Sequence, residues 1–193
     1  MKYYSMFWSQ DFDEGELPMG WLEGEYDELN LYPDPAKEPL EWPTPVFELR
    51  VVIHAEPQQD EPALEFPDYL ANSQGWPICS IDLKQIVDEA RTEQDRLTWL
   101  PVTVMNDQGD SQTYYVARFP EAFPETIDQD GTLFNDAGTP VRIVFEPDEI
   151  GKHGVFAYRE RPVGMIVSEA VKERVEQEQL TGLEFEEENI GSG

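Results

Sequence analysis

Few residues of this chain are of a type and spacing that could do covalent or metal chemistry. The two histidines, His54 and His153, lie far apart in sequence, and neither has a second ligand at the short spacing that a zinc site uses. His54 ends a predicted strand and His153 falls in the polar turn Gly151-Lys152-His153-Gly154, so both read as surface or loop histidines. The single cysteine, Cys79, excludes an internal disulfide and fits a reducing compartment. A helix N-terminus can lower a thiol pKa, but the apolar neighbours Ile78 and Ile81 favour a small buried residue. Asp128-Gln129-Asp130-Gly131 has the look of a calcium loop. The register fails, because the first and twelfth ligand positions fall on Thr126 and Ala137, so the segment reads as an Asp-Gly turn. There is no glycine-rich phosphate cradle and no Gly-x-Ser-x-Gly elbow. With so many carboxylates, some pair will stand at a glycosidase's separation by abundance alone. No catalytic, metal-binding or cofactor-binding residue is expected.

Charge is the dominant feature. Forty-one Asp and Glu against thirteen Lys and Arg give a formal net charge of −28 over 193 residues. Such a charge repels nucleic acid and anionic membranes and favours basic proteins or cations as partners. High solubility or salt adaptation would explain the same number. No Lys or Arg occurs from residue 3 to residue 36, and in that run acids and aromatics interleave. Interfaces draw much of their energy from a few buried aromatics, and surrounding charge speeds and selects the encounter. The candidate partner-binding residues are therefore Trp8, Asp11, Asp13, Glu14, Glu16, Trp21, Glu23, Glu25, Tyr26, Asp27 and Glu28. A solvated acidic loop is the competing reading of the same run.

The elements that must carry these residues are predicted from periodicity. Met165 to Glu186 reads as a strand, a helix with Ser168 at its N-cap and Val167, Val171 and Val175 on one face, and a return strand holding Leu183 and Phe185. Gly182 is placed to end that segment with a positive φ. Ser80, Leu83, Lys84 and Val87 repeat the pattern, predicting a second helix to about Glu93 with Leu83, Ile86, Val87 and Ala90 buried. Strands are expected near Lys2 to Trp8, Phe47 to Ile53, Val141 to Phe145, Val155 to Arg159 and Val163 to Val167. A hairpin is expected from Trp99–Met105 and Gln112–Phe119. Residues 9–45 and 56–67, rich in acids and proline, read as long loops packed on the domain. The class is α+β, with a mainly antiparallel sheet, a few packed helices and long acidic, proline-rich N-terminal loops. No apolar run is long enough to span a membrane, and there is no basic-then-apolar leader.

The order Trp76-Pro77, Ile78-x-Ser80-x-x-Leu83-Lys84, Leu100-Pro101-Val102-x-Val104 and Tyr114-Tyr115-Val116 resembles a known family. So does its continuation in Val155-Phe156, Ile166-Val167-Ser168-Glu169-x-Val171-Lys172 and Thr181-Gly182-Leu183-x-Phe185. That family is the eleventh numbered immunity family of the bacterial polymorphic-toxin systems, and the resemblance spans roughly residues 75 to 186. It implies an α+β protein of the bacterial cytoplasm that binds and neutralises a cognate toxin domain, without catalysis or cofactor. The expected organisation is an N-terminal strand-and-loop part over 1–74, an α+β core over 75–188 and a flexible tail over 189–193. The expected partner is a basic toxin whose active site is occluded by an acidic surface, with no direct nucleic-acid or membrane binding. An acidic adaptor or nucleic-acid mimic acting on a basic host protein is the alternative.

Overall fold

The computed structural model describes residues 1–9, 19–23, 50–54, 66–72, 75–106, 108–119, 126–158 and 161–191. In chain order the strands β1 (Tyr3–Trp8), β2 (Met19–Glu23), β3 (Arg50–His54), β4 (Tyr69–Leu70) and β5 (Ile78–Cys79) precede helix α1 (Ile81–Ala90). The hairpin β6 (Thr98–Asn106) and β7 (Ser111–Arg118) follows, then a small ribbon, β8 (Leu133–Phe134) and β9 (Pro140–Arg142). The short helix α2 (Pro147–Ile150), β10 (Val155–Tyr158), β11 (Arg161–Ser168), α3 (Glu169–Glu178) and β12 (Leu183–Glu187) complete the order. The fold is α+β, as its sequence predicts. Two larger sheets are present, ordered β10-β11-β1-β12 and β2-β3-β6-β7-β5-β4, and every pairing in them is antiparallel except β3 with β6.

The four-stranded sheet shows how alternation builds a core. Tyr4 and Met6 of β1, Val155 and Ala157 of β10, and Met165 and Val167 of β11 belong to one buried cluster with Leu83, Ile86 and Val87 of α1 and Val171 and Val175 of α3. The intervening residues Tyr3, Phe156 and Ile166 belong to another, covered by Phe145 and Ile150. A strand's side chains point to alternate faces, so this sheet is buried on both sides. Helix α1 packs on β5 and β7, α3 packs on β1 and β11, and the two helices pack on each other. The helical pair therefore forms a layer between the sheets.

The six-stranded sheet rolls. Its outer strands approach through a bridge between Gly20 of β2 and Asn72, just beyond β4, with the Gly20 amide donating to the Ala71 carbonyl at 2.8 Å. Inside the roll lie Leu70, Trp76, Ile78, Val102, Val104, Tyr114 and Val116. This contact pairs one backbone donor of an edge that would otherwise be open there. Asn72 also holds the turn that follows: its side chain donates to the Trp76 carbonyl at 2.6 Å and accepts from the Trp76 amide at 2.9 Å.

Both predicted helix starts are present, with different chemistry. Ser80 Oγ accepts from the Leu83 amide at 3.2 Å and donates to Asp68 Oδ1 at 2.7 Å, while Asp68 Oδ2 accepts from the Thr181 amide at 2.9 Å. The cap of α1 thus fastens the segment before β4 to the turn before β12. Ser168 stands at the N-cap of α3 without a side-chain cap bond. The same helix ends on Gln179, which takes the left-handed conformation at φ 57°; Gly182 has its expected positive φ of 82° but three residues later, in the turn to β12. Helix α1 stops at Ala90, short of the predicted Glu93. Within the stretch read as loops, Met19–Glu23 forms a strand because β3 offers it an antiparallel partner, a tertiary gain that local proline content does not report. The rest of the acidic, proline-rich stretches lies almost entirely outside the described residues.

The two caps should separate on mutation. Ser80→Ala is expected to cost about 1–2 kcal/mol in urea unfolding, since it loses a cap and strands an Asp68 oxygen. Ser168→Ala, which removes no cap bond, should cost less than about 0.5 kcal/mol.

Candidate functional site

The predicted partner-binding residues divide between different parts of the molecule. Trp8 ends β1 opposite Leu183, and it is half-buried against the main core, so its ring also serves the fold. Trp21 and Glu23 lie on β2, opposite Val52 and Arg50 of β3, in the other large sheet. Asp11, Asp13, Glu14, Glu16, Glu25, Tyr26, Asp27 and Glu28 fall outside the described residues.

His153 corrects its sequence reading as a surface or loop residue. It is 8% exposed, and its Nδ1 stands 2.7 Å from Oδ1 of Asp95, whose side chain is fully enclosed. An ionised carboxylate can only accept, so in this pair Nδ1 is the donor. Asp95 Oδ2 accepts from the amides of Thr92 at 2.8 Å, Gly154 at 2.9 Å and Val155 at 3.2 Å. The Tyr3 hydroxyl lies 2.6 Å from the Ile150 carbonyl and 2.7 Å from that of His153, sharing its single proton between them. An Asp–His pair is a familiar catalytic unit, but here three backbone amides also bond the carboxylate, and the ring packs at a tilt against Phe156, with centroids 5.7 Å apart. The arrangement is a structural junction. A buried partner for His153 leaves no mark in the local sequence, because Asp95 is 58 residues away.

Cys79 is completely buried in β5, and burial pushes its thiol far above the ordinary cysteine range, with the Asp68 charge adding to the shift. It packs in the main core beside Leu83 and Ala117. Asp128 Oδ1 accepts from the amides of Asp130 at 3.0 Å and Gly131 at 2.9 Å, which is an Asx turn rather than an ion cage. Among the described residues no group of three or more His, Cys, Asp or Glu could hold a metal ion, and no helix is long and apolar enough to cross a membrane.

The surface carries the remaining signals. Several basic side chains are tied to nearby acids: Lys2 to Glu187, Lys84 and Arg91 to Asp88, Lys152 to Glu149, Lys172 to Glu176, and Arg174 to Glu89 and Glu178. Pairs this exposed add little stability, but they neutralise the cations locally and leave the long-range field negative. Burial would raise the Asp88 carboxyl, yet hydrogen bonds from Lys84, Trp99 and Arg91 outweigh it and hold it below its usual range. An open groove of about 550 Å³ runs between α3 and β12, with Val175, Leu180, Leu183 and Phe185 among its walls. On the β8–β9 ribbon, Leu133, Phe134 and Val141 are 56%, 41% and 68% exposed; the sequence reading had placed only Val141, at the start of a strand.

A model of the immunity protein family Imm11 matches residues 22–189. That span begins well before residue 75, where the recognisable motifs begin, and includes β3 and the last two residues of β2. No curated protein matches the chain.

Asp95→Ala should destabilise the fold by about 3–5 kcal/mol in urea unfolding, because it leaves His153 and three amides without their acceptor. Asp95→Asn, which keeps one acceptor oxygen, should lose less. The raised thiol pKa of Cys79 means less thiolate at mildly alkaline pH than an ordinary cysteine holds. A disulfide reagent should therefore leave the native protein unmodified and titrate one thiol after unfolding in guanidinium.

Proposed function

Because the chain belongs to the immunity protein family Imm11, we propose that it binds a cognate bacterial toxin in the cytoplasm and neutralises it by covering the active site with an acidic surface. The observation that carries the toxin-neutralising role is the family match over residues 22–189. The net charge of −28 supports a basic toxin domain as the partner. Carboxylates on this surface take the positions that a substrate's phosphates or other anions would occupy, and they raise the encounter rate before any contact forms. Within this reading the run from Trp8 to Glu28 supplies the steering charge, through Asp11, Asp13, Glu14, Glu16, Glu23, Glu25, Asp27 and Glu28. The aromatic rings of Trp8, Trp21 and Tyr26 supply contact area beside it. The protein's own chemistry is binding, and we assign it no catalytic step.

Replacing Asp11, Asp13, Glu14 and Glu16 together by Ser should slow association with the toxin encoded beside this gene by about tenfold at low salt and flatten the salt dependence of the rate. An unchanged rate and slope would move the steering surface elsewhere. Equal binding to several unrelated basic proteins would favour a general acidic adaptor instead. In cells, co-expression should restore growth under toxin induction.

A further inference from the structure

We infer that the β8–β9 ribbon is the apolar anchor of the complex, inserting into a cleft of the cognate toxin that has apolar walls and a basic rim. This rests on the toxin-binding reading above and names the contact that slows dissociation. The ribbon is a sheet of its own, paired to neither of the larger ones. Every residue from Leu133 to Thr139 is exposed, as are Val141 and Arg142. A register shift between Leu133 and Phe134 sets Leu133 opposite Arg142 and Phe134 opposite Pro140, leaving Val141 as the extra residue of a bulge. A two-stranded ribbon without cover on its faces is marginal by itself. This one is held by polar contacts at its two ends instead.

At the base, Thr132 Oγ1 accepts from the Val144 amide at 3.0 Å and donates to the Val144 carbonyl at 3.2 Å. At the tip, Asn135 Oδ1 accepts from the amides of Ala137 at 3.0 Å and Thr139 at 2.9 Å. The ribbon's shape is therefore fixed without burying Leu133, Phe134 or Val141, and the fold gives no reason for those side chains to be apolar. Large apolar groups clustered in an acidic setting mark a binding surface. The setting here is acidic: Asp128, Asp130 and Asp136 flank the apolar residues, and Arg142 is the only Lys or Arg between residues 126 and 150. Charge complementarity thus requires a basic rim on the partner. A narrow ribbon with exposed apolar groups fits a cleft better than a flat face, because a cleft can desolvate several sides of it at once.

The test uses full-length protein and the toxin encoded beside this gene, in a surface-immobilised kinetic assay. The variant carries Leu133→Ser, Phe134→Ser and Val141→Ser together; a second carries Phe134→Ala alone. Since all three positions are exposed, both variants should keep the wild-type melting temperature within a few degrees. The triple variant is expected to dissociate about 100-fold faster, with its association rate and salt slope within about twofold of wild type. The single variant should fall between. Tight wild-type binding with an unchanged dissociation rate in the triple variant overturns the anchor and leaves the toxin-binding reading standing. Absence of wild-type binding overturns both. If sedimentation instead shows a wild-type dimer that the triple variant converts to monomer, the ribbon's occupant is a second copy of this chain and the proposal falls.

Discussion

The enclosed carboxylate of Asp95 is the constraint on which the central packing depends. It sits in the connection after α1, yet most of its hydrogen bonds run to the residues that open β10. A charge withdrawn from water is tolerated only where donors surround it, so the connection and the sheet can occupy only one mutual position. Gly154 tightens the same joint: a Cβ there would collide with the Ala90 carbonyl oxygen at the end of α1. The Thr92 hydroxyl adds a bond to the Lys152 carbonyl at 2.8 Å. The helix end, the turn before β10 and the first strand, through Tyr3, are thereby drawn to one point.

A second joint works by similar means at the other end of α1. Asp68 receives Ser80 on one oxygen and Thr181 on the other. Gly182 lies so close to Tyr69 that a Cβ would stand 2.5 Å from that residue's carbonyl oxygen. Each carboxylate thus ties a loop to an element distant in sequence. In a protein so rich in acids, these two stand out because each gathers donors from segments distant in sequence.

The sequence reading succeeded where information is local. The faces of α1 and α3 follow from the spacing of Leu83, Ile86 and Val87 and of Val171 and Val175, and the β6–β7 hairpin follows from two β-rich runs around a polar, glycine-containing loop. It failed where partners are remote. His153 looked like a turn residue because Asp95 is invisible from position 153, and β2 looked like loop because its partner β3 begins 27 residues beyond its end (50 − 23). Strands as short as β4 and β5 have too few residues to show a period at all. The exposed apolar ribbon had its turn residues in plain view, Asp136-Ala137-Gly138, but whether Leu133 and Phe134 face a core or water is decided by the layers, not by the segment. The acidic run was legible as charge, and its shape was not.

The position of β1 has a consequence for biosynthesis. It lies inside the four-stranded sheet, between β11 and β12, so the third residue of the chain pairs with residue 168 and the eighth with residue 183. While the polypeptide is still being made, β1 emerges well before the two strands it pairs with. Such long-range pairing is slow and leaves an apolar strand, Tyr3 to Trp8, unpaired in the meantime. The pairing of β1 is therefore complete only once residue 187 has been made.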